Sequence, residues 1–257
     1  MSSVALNVAN ISHSFSGIKA SDDITFDVLN GSITGVIGPN GAGKSTLFNI
    51  ITGRYTPDQG HITFESNNIT GRESHLLVHK GLVRTFQNNR LFKSMTVIDH
   101  LKCAMKKKCS YGLVDAVFRS KKFKDEEKNI DQTARNLLDE FGLGALADTQ
   151  ADGLAYGQQK LLEIVRALSL DPKMLLLDEP AAGLNETESR KLAELIRSLR
   201  DKYKVTVLLI EHDMKLVMGV CEKIIVLVNG KKIAEGIPSE IKSHPKVIEA
   251  YLGRGAS

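Results

Sequence analysis

The stretch Gly38-Pro39-Asn40-Gly41-Ala42-Gly43-Lys44-Ser45 decides the fold, because it fits the pattern G-x-x-x-x-G-K-[ST] without a gap. An apolar, β-branched run at 33–37 precedes it, and the apolar stretch LFNIIT at 47–52 follows it. This order predicts a strand, a glycine-rich loop and a helix. A bare glycine-rich turn without a ligand is the alternative, and the strand before and helix after argue against it.

Each residue type in this loop, called the phosphate loop below (38–45), suits the binding of phosphate. Glycines take positive φ and let the backbone approach an anion closely. Successive N–H groups then point inward, and the helix beginning near Gly43 adds its N-terminal partial charge. Lys44 is expected to reach the β and γ phosphates, and Ser45 to offer its hydroxyl to Mg²⁺.

A pair of carboxylates ends a second apolar run. Residues 174–177 read Met-Leu-Leu-Leu and are followed by Asp178, Glu179 and a proline. Asp178 is placed to hold Mg²⁺ through water, and Glu179 to polarise an attacking water molecule. Taken alone, two acids after a strand also suit a cap on the next helix, an alternative that the phosphate loop makes weaker.

A histidine follows a third apolar run. His212 comes two residues after the run 205–210, and parallel strands place their carboxyl ends at one edge of a sheet. We therefore expect Ser45, Asp178 and His212 to lie near each other, with His212 close to the γ-phosphate. The alternative is a capping or hydrogen-bonded filler histidine. Spacing alone does not assign a role to Gln87, for which a surface position is the default.

Composition restricts the class of protein. The 257 residues are 42% hydrophobic and 25% charged, which is ordinary for a globular protein able to bury a core without disulfides. A net charge of +4 is too small to indicate nucleic acid. Cys103, Cys109 and Cys221 form neither a disulfide framework nor a zinc set, and we expect reduced thiols. No apolar run approaches the ~20 residues of a spanning helix, and the N-terminus is no secretory signal, so another chain must supply any membrane-spanning part.

The pattern changes along the chain. The first 65 residues are β-rich, about 94–141 is helical and charged, and strands then alternate with helices, which predicts an α/β fold with a parallel sheet. Asn185 is expected to cap a helix at 186–202, with Glu188 reaching back to it. Residues 102–128 carry nine basic and four acidic side chains. They form either a solvated helical face or a surface that meets another subunit or phospholipid headgroups.

The order of these motifs resembles that of the ATP-binding subunits of ABC transporters, over nearly the whole chain from Val4 to Gly253. The resemblance implies one P-loop cassette: an ATP-binding core with an antiparallel β subdomain (1–93 and 157–236), a helical subdomain (94–156) and a helical tail (237–257). It rests on Phe15, residues 38–46, Gln87, Leu154-Ala155-Tyr156-Gly157-Gln158, Asp178-Glu179, Ala182-Gly183-Leu184-Asn185 and His212.

The resemblance also implies roles for these residues, with ATP and Mg²⁺ as cofactors. Phe15 would stack on adenine, and the loop through Thr46 would hold the phosphates. Gln87 would join Ser45 and Asp178 around Mg²⁺. Glu179 would be the catalytic base and His212 would hold the γ-phosphate. Residues 154–158, called the signature segment below, would complete the ATP site of a second, facing cassette, and residues 182–185 would form the adjoining D-loop.

Two departures from the family pattern affect the facing site. The usual signature LSGGQ reads LAYGQ here, so Ala155 lacks the hydroxyl that would bond the partner's γ-phosphate, an interaction worth roughly 1.5–3 kcal/mol. Asn185 stands where the family usually has Asp. The site facing this signature is therefore expected to be the weaker of the two composite sites, unless the Tyr156 region or backbone N–H groups supply the missing donor.

The segments LAYGQQK, DEPAAGLN, IEHDMKLVMG and VIEAYLG resemble the larger ATP-binding subunit of bacterial branched-chain amino-acid importers. This implies ATP-driven import at the cytoplasmic face of the cell membrane. The implied partners are a second, different cassette, two permease subunits and indirectly a solute-binding protein, without nucleic acid. Urea, amides or other amino acids are alternative substrates. An exporter cassette fits the signature poorly, and a ribosome- or DNA-acting ATPase fits poorly with one phosphate loop and no heptads.

Overall fold

The computed structural model describes residues 3–85 and 91–252, which form two compact units. The first holds the described residues up to 85 and those from Lys173 onward, and the second holds the described residues between 91 and Pro172. The predicted return to the ATP-binding core lies at residue 157, whereas the division between the two units follows residue 172. The reason is packing, because Leu162 and Val165 belong to the apolar core of the second unit.

A four-stranded antiparallel sheet begins the first unit, as predicted. With strands numbered in chain order, its order is β2-β1-β4-β5. The alternating or β-branched runs in the sequence predict strands only at 4–8 and 24–29. β1 and β2 run farther than this, because bulges after Val8 and Ile11 interrupt the strict alternation. The bounds are β1 Val4–Phe15, β2 Ile18–Leu29, β4 Gln59–Phe64 and β5 Asn67–Asn68.

A six-stranded sheet forms the centre of the first unit, in the order β10-β9-β3-β8-β7-β6. Its strands are parallel except for the edge strand β10. β3, β7 and β8 are buried along their whole length, as expected for strands covered on both faces. The bounds are β3 Ile33–Ile37, β6 Leu82–Arg84, β7 Met174–Asp178, β8 Thr206–Ile210, β9 Lys223–Val228 and β10 Lys231–Gly236.

Six helices accompany these sheets in the described part of the first unit: α1 Lys44–Ile51, α2 Ser74–His79, α7 Glu186–Asp201, α8 Met214–Val220, α9 Pro238–Ser243 and α10 Pro245–Leu252. The start of α7 confirms the predicted capping box. The Glu188 N–H donates to Asn185 Oδ1 at 3.0 Å, and the Asn185 N–H donates to Glu188 Oε2 at 2.9 Å. The helix therefore begins where its sequence indicates.

The described part of the second unit is helical, also as predicted. Its helices are α3 Val97–Met105, α4 Leu113–Val117, α5 Lys121–Glu140 and α6 Tyr156–Leu168. Val97, Leu101, Leu138 and Leu162 from α3, α5 and α6 share one apolar core. Within residues 3–85 and 91–252, no helix has the length and apolar character needed to cross a bilayer. The three cysteines are free thiols.

Candidate nucleotide-binding site

The phosphate loop joins the buried strand β3 to α1, which confirms the predicted strand–loop–helix arrangement. Gly41 and Gly43 take φ values of 79° and 97°, in the region that side chains disfavour. At Gly43 a Cβ would also lie 2.3 Å from the carbonyl oxygen of Ala20 on β2. Only glycine fits this position, and the loop backbone is held against the β1–β2 hairpin.

The Lys44 side chain is folded over this loop. Its Nζ donates to the carbonyl oxygens of Gly38 at 2.7 Å and Pro39 at 3.1 Å. Burial lowers the pKa of Lys44, and the nearby carboxylates of Glu179 and Asp178 oppose that shift. The ammonium group is therefore held at the loop by backbone carbonyls, beside two acids and ready to meet an anion.

The strand ends meet at one edge of the sheet, as the sequence predicts. Val36 on β3 is the register partner of Ile210 on β8, and Ile210 is the partner of Asp178 on β7. Asp178 is buried at the end of its strand, and Ser45 is exposed in the first turn of α1. The loop, the carboxylates and the residues after β8 thus share the carboxyl edge of the sheet.

Arg84, which sequence reasoning missed, holds Asp178. Its Nη2 donates to Asp178 Oδ2 at 2.7 Å, and both side chains are only 7% exposed. Its Nη1 donates to Asn49 Oδ1 at 2.8 Å and to Thr52 Oγ1 at 3.2 Å. Arg84 therefore links β6 and β7 to α1. One sequence signal could have found this pair: Arg84 directly follows two apolar strand residues, which suggests that it is buried. A buried arginine needs an acidic partner.

Glu179 and His212 are brought together. Glu179 takes the strained φ of 49°, and its N–H donates to the carbonyl oxygen of Ile210 at 2.9 Å. Its Oε1 lies 2.9 Å from His212 Nε2. The Glu179 side chain is 14% exposed and that of His212 is 40% exposed. This carboxylate is thus aimed by its backbone and contacted by an imidazole that remains open to solvent.

Glu211, also missed, ties the two loops together. Its Oε1 accepts from the Ala181 N–H at 2.6 Å, and its Oε2 accepts from the N–H groups of His212 at 2.9 Å and Asp213 at 3.2 Å. Burial raises the pKa of Glu211, and these three hydrogen bonds oppose the shift. The carboxylate fixes the chain after β7 to the chain after β8, and so fixes the backbones that carry Glu179 and His212.

The segment Ala182-Gly183-Leu184-Asn185 follows directly. The Ala182 N–H donates to the Glu179 carbonyl at 3.2 Å, and the Leu184 N–H donates to the Ala181 carbonyl at 3.0 Å. Gly183 takes a φ of 81°. The segment is therefore a tight turn between Glu179 and the Asn185 cap of α7.

An aromatic group lies at the end of the β1–β2 hairpin. The ring of Phe15 is partly exposed, 4.7 Å from the His13 ring and 5.3 Å from the Tyr55 ring, both edge-on. The hairpin borders the phosphate loop through Ala20. An open aromatic face here suits a base. Sequence reasoning selected Phe15 but missed His13 and Tyr55.

The tail reaches the phosphate loop as well. Burial raises the pKa of the Tyr251 hydroxyl, and the backbone of Gly38 beside it opposes that rise. Tyr251 belongs to α10, whose helical character was predicted from its sequence. The position of Tyr251 beside the phosphate loop was not predicted.

The signature segment lies in the second unit. Leu154 is buried, whereas Ala155 and Tyr156 are exposed where α6 begins. The Ala155 N–H donates to Gln158 Oε1 at 3.0 Å. The segment is thus anchored at one end and open at the other. Gln87, expected near Mg²⁺, lies outside the described residues.

Family models match two parts of the chain. One described as "ABC transporter" matches residues 21–182, and one described as "Branched-chain amino acid ATP-binding cassette transporter" matches residues 231–257. The first spans the phosphate loop, the signature segment, Asp178 at the end of β7 and the following Glu179. The second spans β10 and the tail.

Similar proteins cover almost the whole chain. The high-affinity branched-chain amino acid transport ATP-binding protein BraF of Pseudomonas aeruginosa is 43% identical over 98% of this chain and 99% of its own length. The corresponding protein LivG of Escherichia coli is 42% identical with the same coverage.

Solved structures agree. An ATP-binding cassette of an ABC transporter in its ADP conformation is 37% identical, with a TM-score of 0.84 over 98% of this chain and 99% of that one. A nucleotide-free ATP-binding cassette from an ABC transporter is 37% identical, with a TM-score of 0.83 over 98% of this chain and 100% of that one. With the loop, acids and histidine in place, the chain belongs to the ABC transporter family, among its branched-chain amino acid transport ATP-binding proteins.

Proposed function

We propose that this chain binds ATP with Mg²⁺ at the carboxyl edge of its six-stranded sheet and hydrolyses it to drive import of branched-chain amino acids. The observation that carries this proposal is the contact between Glu179 and His212, 2.9 Å long, beside Lys44 and Asp178. A positioned base next to a phosphate loop is what hydrolysis of a γ-phosphate requires.

The phosphates would be held by the loop from Gly38 to Thr46, with backbone N–H groups and the Lys44 ammonium as donors. Occupation would draw Lys44 Nζ from the carbonyls of Gly38 and Pro39 to the β and γ phosphates. Phe15 would stack on the adenine. Stacking needs only an aromatic face, which the partly exposed ring supplies.

The donor set near the loop fits Mg²⁺. Ser45 and Asp178 offer hard oxygen atoms, and we propose that Gln87 joins them. Within the described ranges 3–85 and 91–252, no three His, Cys, Asp or Glu side chains cluster as a metal site, so most ligands would be phosphate and water oxygens. Bound Mg²⁺ would neutralise charge on the phosphates. The ion pair with Arg84 orients the Asp178 carboxylate for this task.

Glu179 would accept the proton of the attacking water, and His212 would turn from Glu179 to the γ-phosphate. Because His212 is 40% exposed, it has room to make that change. Glu211 would keep both loops in register while the histidine moves.

A second cassette would complete the site. The exposed start of α6 suits an anion carried by another chain, since a helix N-terminus presents free N–H groups. Ala155 brings no hydroxyl to that contact. The partner cassette is proposed to be a different chain, and two permease subunits and a solute-binding protein would complete the transporter. Its place would be the cytoplasmic face of the membrane.

The test is uptake of labelled leucine by cells that lack their own copy of this subunit, complemented with the native chain or with Glu179→Gln. Uptake is expected to return with the native chain only. Uptake that never depends on the chain would contradict the substrate, and equal rescue by Glu179→Gln would contradict the mechanism. A Glu194→Gln variant, changed on the exposed face of α7, is the matched control and is expected to restore uptake.

A further inference from the structure

The short helix α4 in the second unit exposes an apolar face that no described residue covers. Val114, Val117 and Phe118 are 71%, 75% and 79% exposed. Their spacing of three and four residues places them on the same side of the helix. Single exposed apolar residues are common, but three large ones on one helical face indicate a contact surface.

Contacts between the loop before α4 and α5 hold this helix in place. The Ser110 N–H and hydroxyl donate to the two carboxylate oxygens of Glu126 at 3.0 and 2.6 Å. The Tyr111 hydroxyl donates to Glu127 Oε1 at 2.6 Å, and its ring packs edge-on against Phe123 at 4.9 Å. The loop before α4 is therefore fastened to α5, and the exposed face results from this packing.

The same contacts engage two acidic side chains of α5 and leave neighbouring basic side chains exposed. Glu126 and Glu127 are turned toward residues 110 and 111, where they are engaged. The stretch from Arg119 to Lys124 contains four basic and no acidic residues. Arg119, Lys121 and Lys124 are exposed directly after the apolar face. Apolar and cationic side chains thus adjoin each other on the outside.

This combination favours a lipid surface over a protein. Lysine is depleted in protein–protein interfaces, whose buried centres avoid charge. An interfacial membrane segment has the opposite pattern, with apolar side chains entering the headgroup boundary and Lys or Arg meeting anionic lipid.

We propose that residues 113–124, with the exposed side chains of Val114, Val117, Phe118, Arg119, Lys121 and Lys124, rest on the headgroups of an anionic membrane. This surface, called the α4 surface below, would deepen the proposed function by holding the subunit beside the bilayer. Binding to lipid needs no ATP hydrolysis, so this proposal and the proposed function fail separately.

The test uses the full-length chain and sedimentation with vesicles of phosphatidylcholine alone or mixed with phosphatidylglycerol. The native chain is expected to bind the mixed vesicles, and to bind them less at high salt. Val117→Ser with Phe118→Ser should weaken binding about tenfold. Lys121→Glu with Lys124→Glu should weaken it about 25-fold or more, since each basic group near an anionic surface contributes a factor of about five.

Two controls match these variants. Leu76→Ser removes an exposed apolar side chain of α2, and Lys191→Glu reverses an exposed charge of α7, and both are expected to bind as the native chain does. The Glu179→Gln chain should also bind normally. Native binding that fails to distinguish the vesicles, or α4-surface variants that bind as the controls do, would overturn the proposal. So would protection of 113–124 from protease by permease subunits in detergent without lipid, which would indicate a protein occupant.

Discussion

In the proposed function the strand-end region binds the phosphates of this chain's own ATP and the signature segment binds those of the partner's ATP, and the two regions are built in opposite ways. At the strand ends every acid is engaged: Asp178 by Arg84, Glu179 by His212, and Glu211 by three backbone N–H groups. At the signature segment Ala155 and Tyr156 face solvent. One region is arranged in advance within the chain, and the other presents a helix start to something outside it.

This difference indicates a division of work. Chemistry requires groups fixed to within a fraction of an ångström, which a buried network of several strands supplies. Recognition of a second chain requires an open surface, which a helix N-terminus supplies without preorganised acids. The predictions below test whether the two regions act in different chains and how much each contact contributes.

The largest effect is expected on ATP-driven association, when the phosphate loop is disabled in one copy of the chain and the signature segment in another. When no second cassette is present, two copies of the purified chain are expected to pair in ATP, each standing in for that partner. Lys44→Ala should abolish this association, and so should Gly157→Asp, which places a carboxylate where an anion approaches. A mixture should regain association, because a mixed pair still contains one intact loop opposite one intact signature segment. Sedimentation velocity measures this. A mixture as inert as each variant alone, while the native chain associates, would show that each chain completes its own site.

The next largest effect is expected on the free energy of unfolding, at the buried pair of Arg84 and Asp178. Arg84→Met should lower the free energy of unfolding by about 3–5 kcal/mol, since it leaves a buried carboxylate without its partner. Adding Asp178→Asn should recover part of that loss. Urea unfolding measures both, with the exposed Arg190→Met as the control expected to lie within about 0.5 kcal/mol of native. Losses that simply add would argue against the pair.

Sequence explains part of this organisation and not the rest. The phosphate loop, the acids after β7 and the Asn185 cap were predictable, because their chemistry is written in neighbouring residues. The pair of Arg84 and Asp178 joins residues 94 positions apart, and only the neighbouring places of β6 and β7 in the sheet bring them together. The contact of Tyr251 with Gly38 likewise depends on how the tail packs.

The wrong predictions arose where a pattern of neighbouring residues was taken alone, without the packing around it. Bulges in β1 broke the alternation that defines a strand, and α6 joined the second unit because its apolar side packs there. Glu211 could not be assigned a role from sequence, because its burial under three N–H donors depends on how the chain after β7 packs against the chain after β8.

A smaller effect is expected at the signature segment. Ala155→Ser would add the hydroxyl that the facing phosphate lacks, and should lower the ATP concentration for half-maximal association by about tenfold or more. Ala155→Gly, which adds no donor, is the matched variant and should not do so. If Ala155→Ser changes nothing, the facing site already satisfies that phosphate through other donors.

The smallest effect concerns Asn185. Asn185→Ala should cost about 1 kcal/mol of stability through loss of the α7 cap, whereas Asn185→Asp should keep the cap. Thermal unfolding measures the difference. Equal stability of both variants would mean that the cap contributes little beyond the rest of the helix.

The central claim, that Glu179 activates the attacking water, is tested most directly by measuring phosphate release and ATP binding together for the native chain, Glu179→Gln and Glu194→Gln. We expect Glu179→Gln to bind ATP as the native chain does and to release phosphate about 10²–10⁴ times more slowly. Glu194→Gln should match the native chain in both. Phosphate release by Glu179→Gln at the native rate would contradict the account.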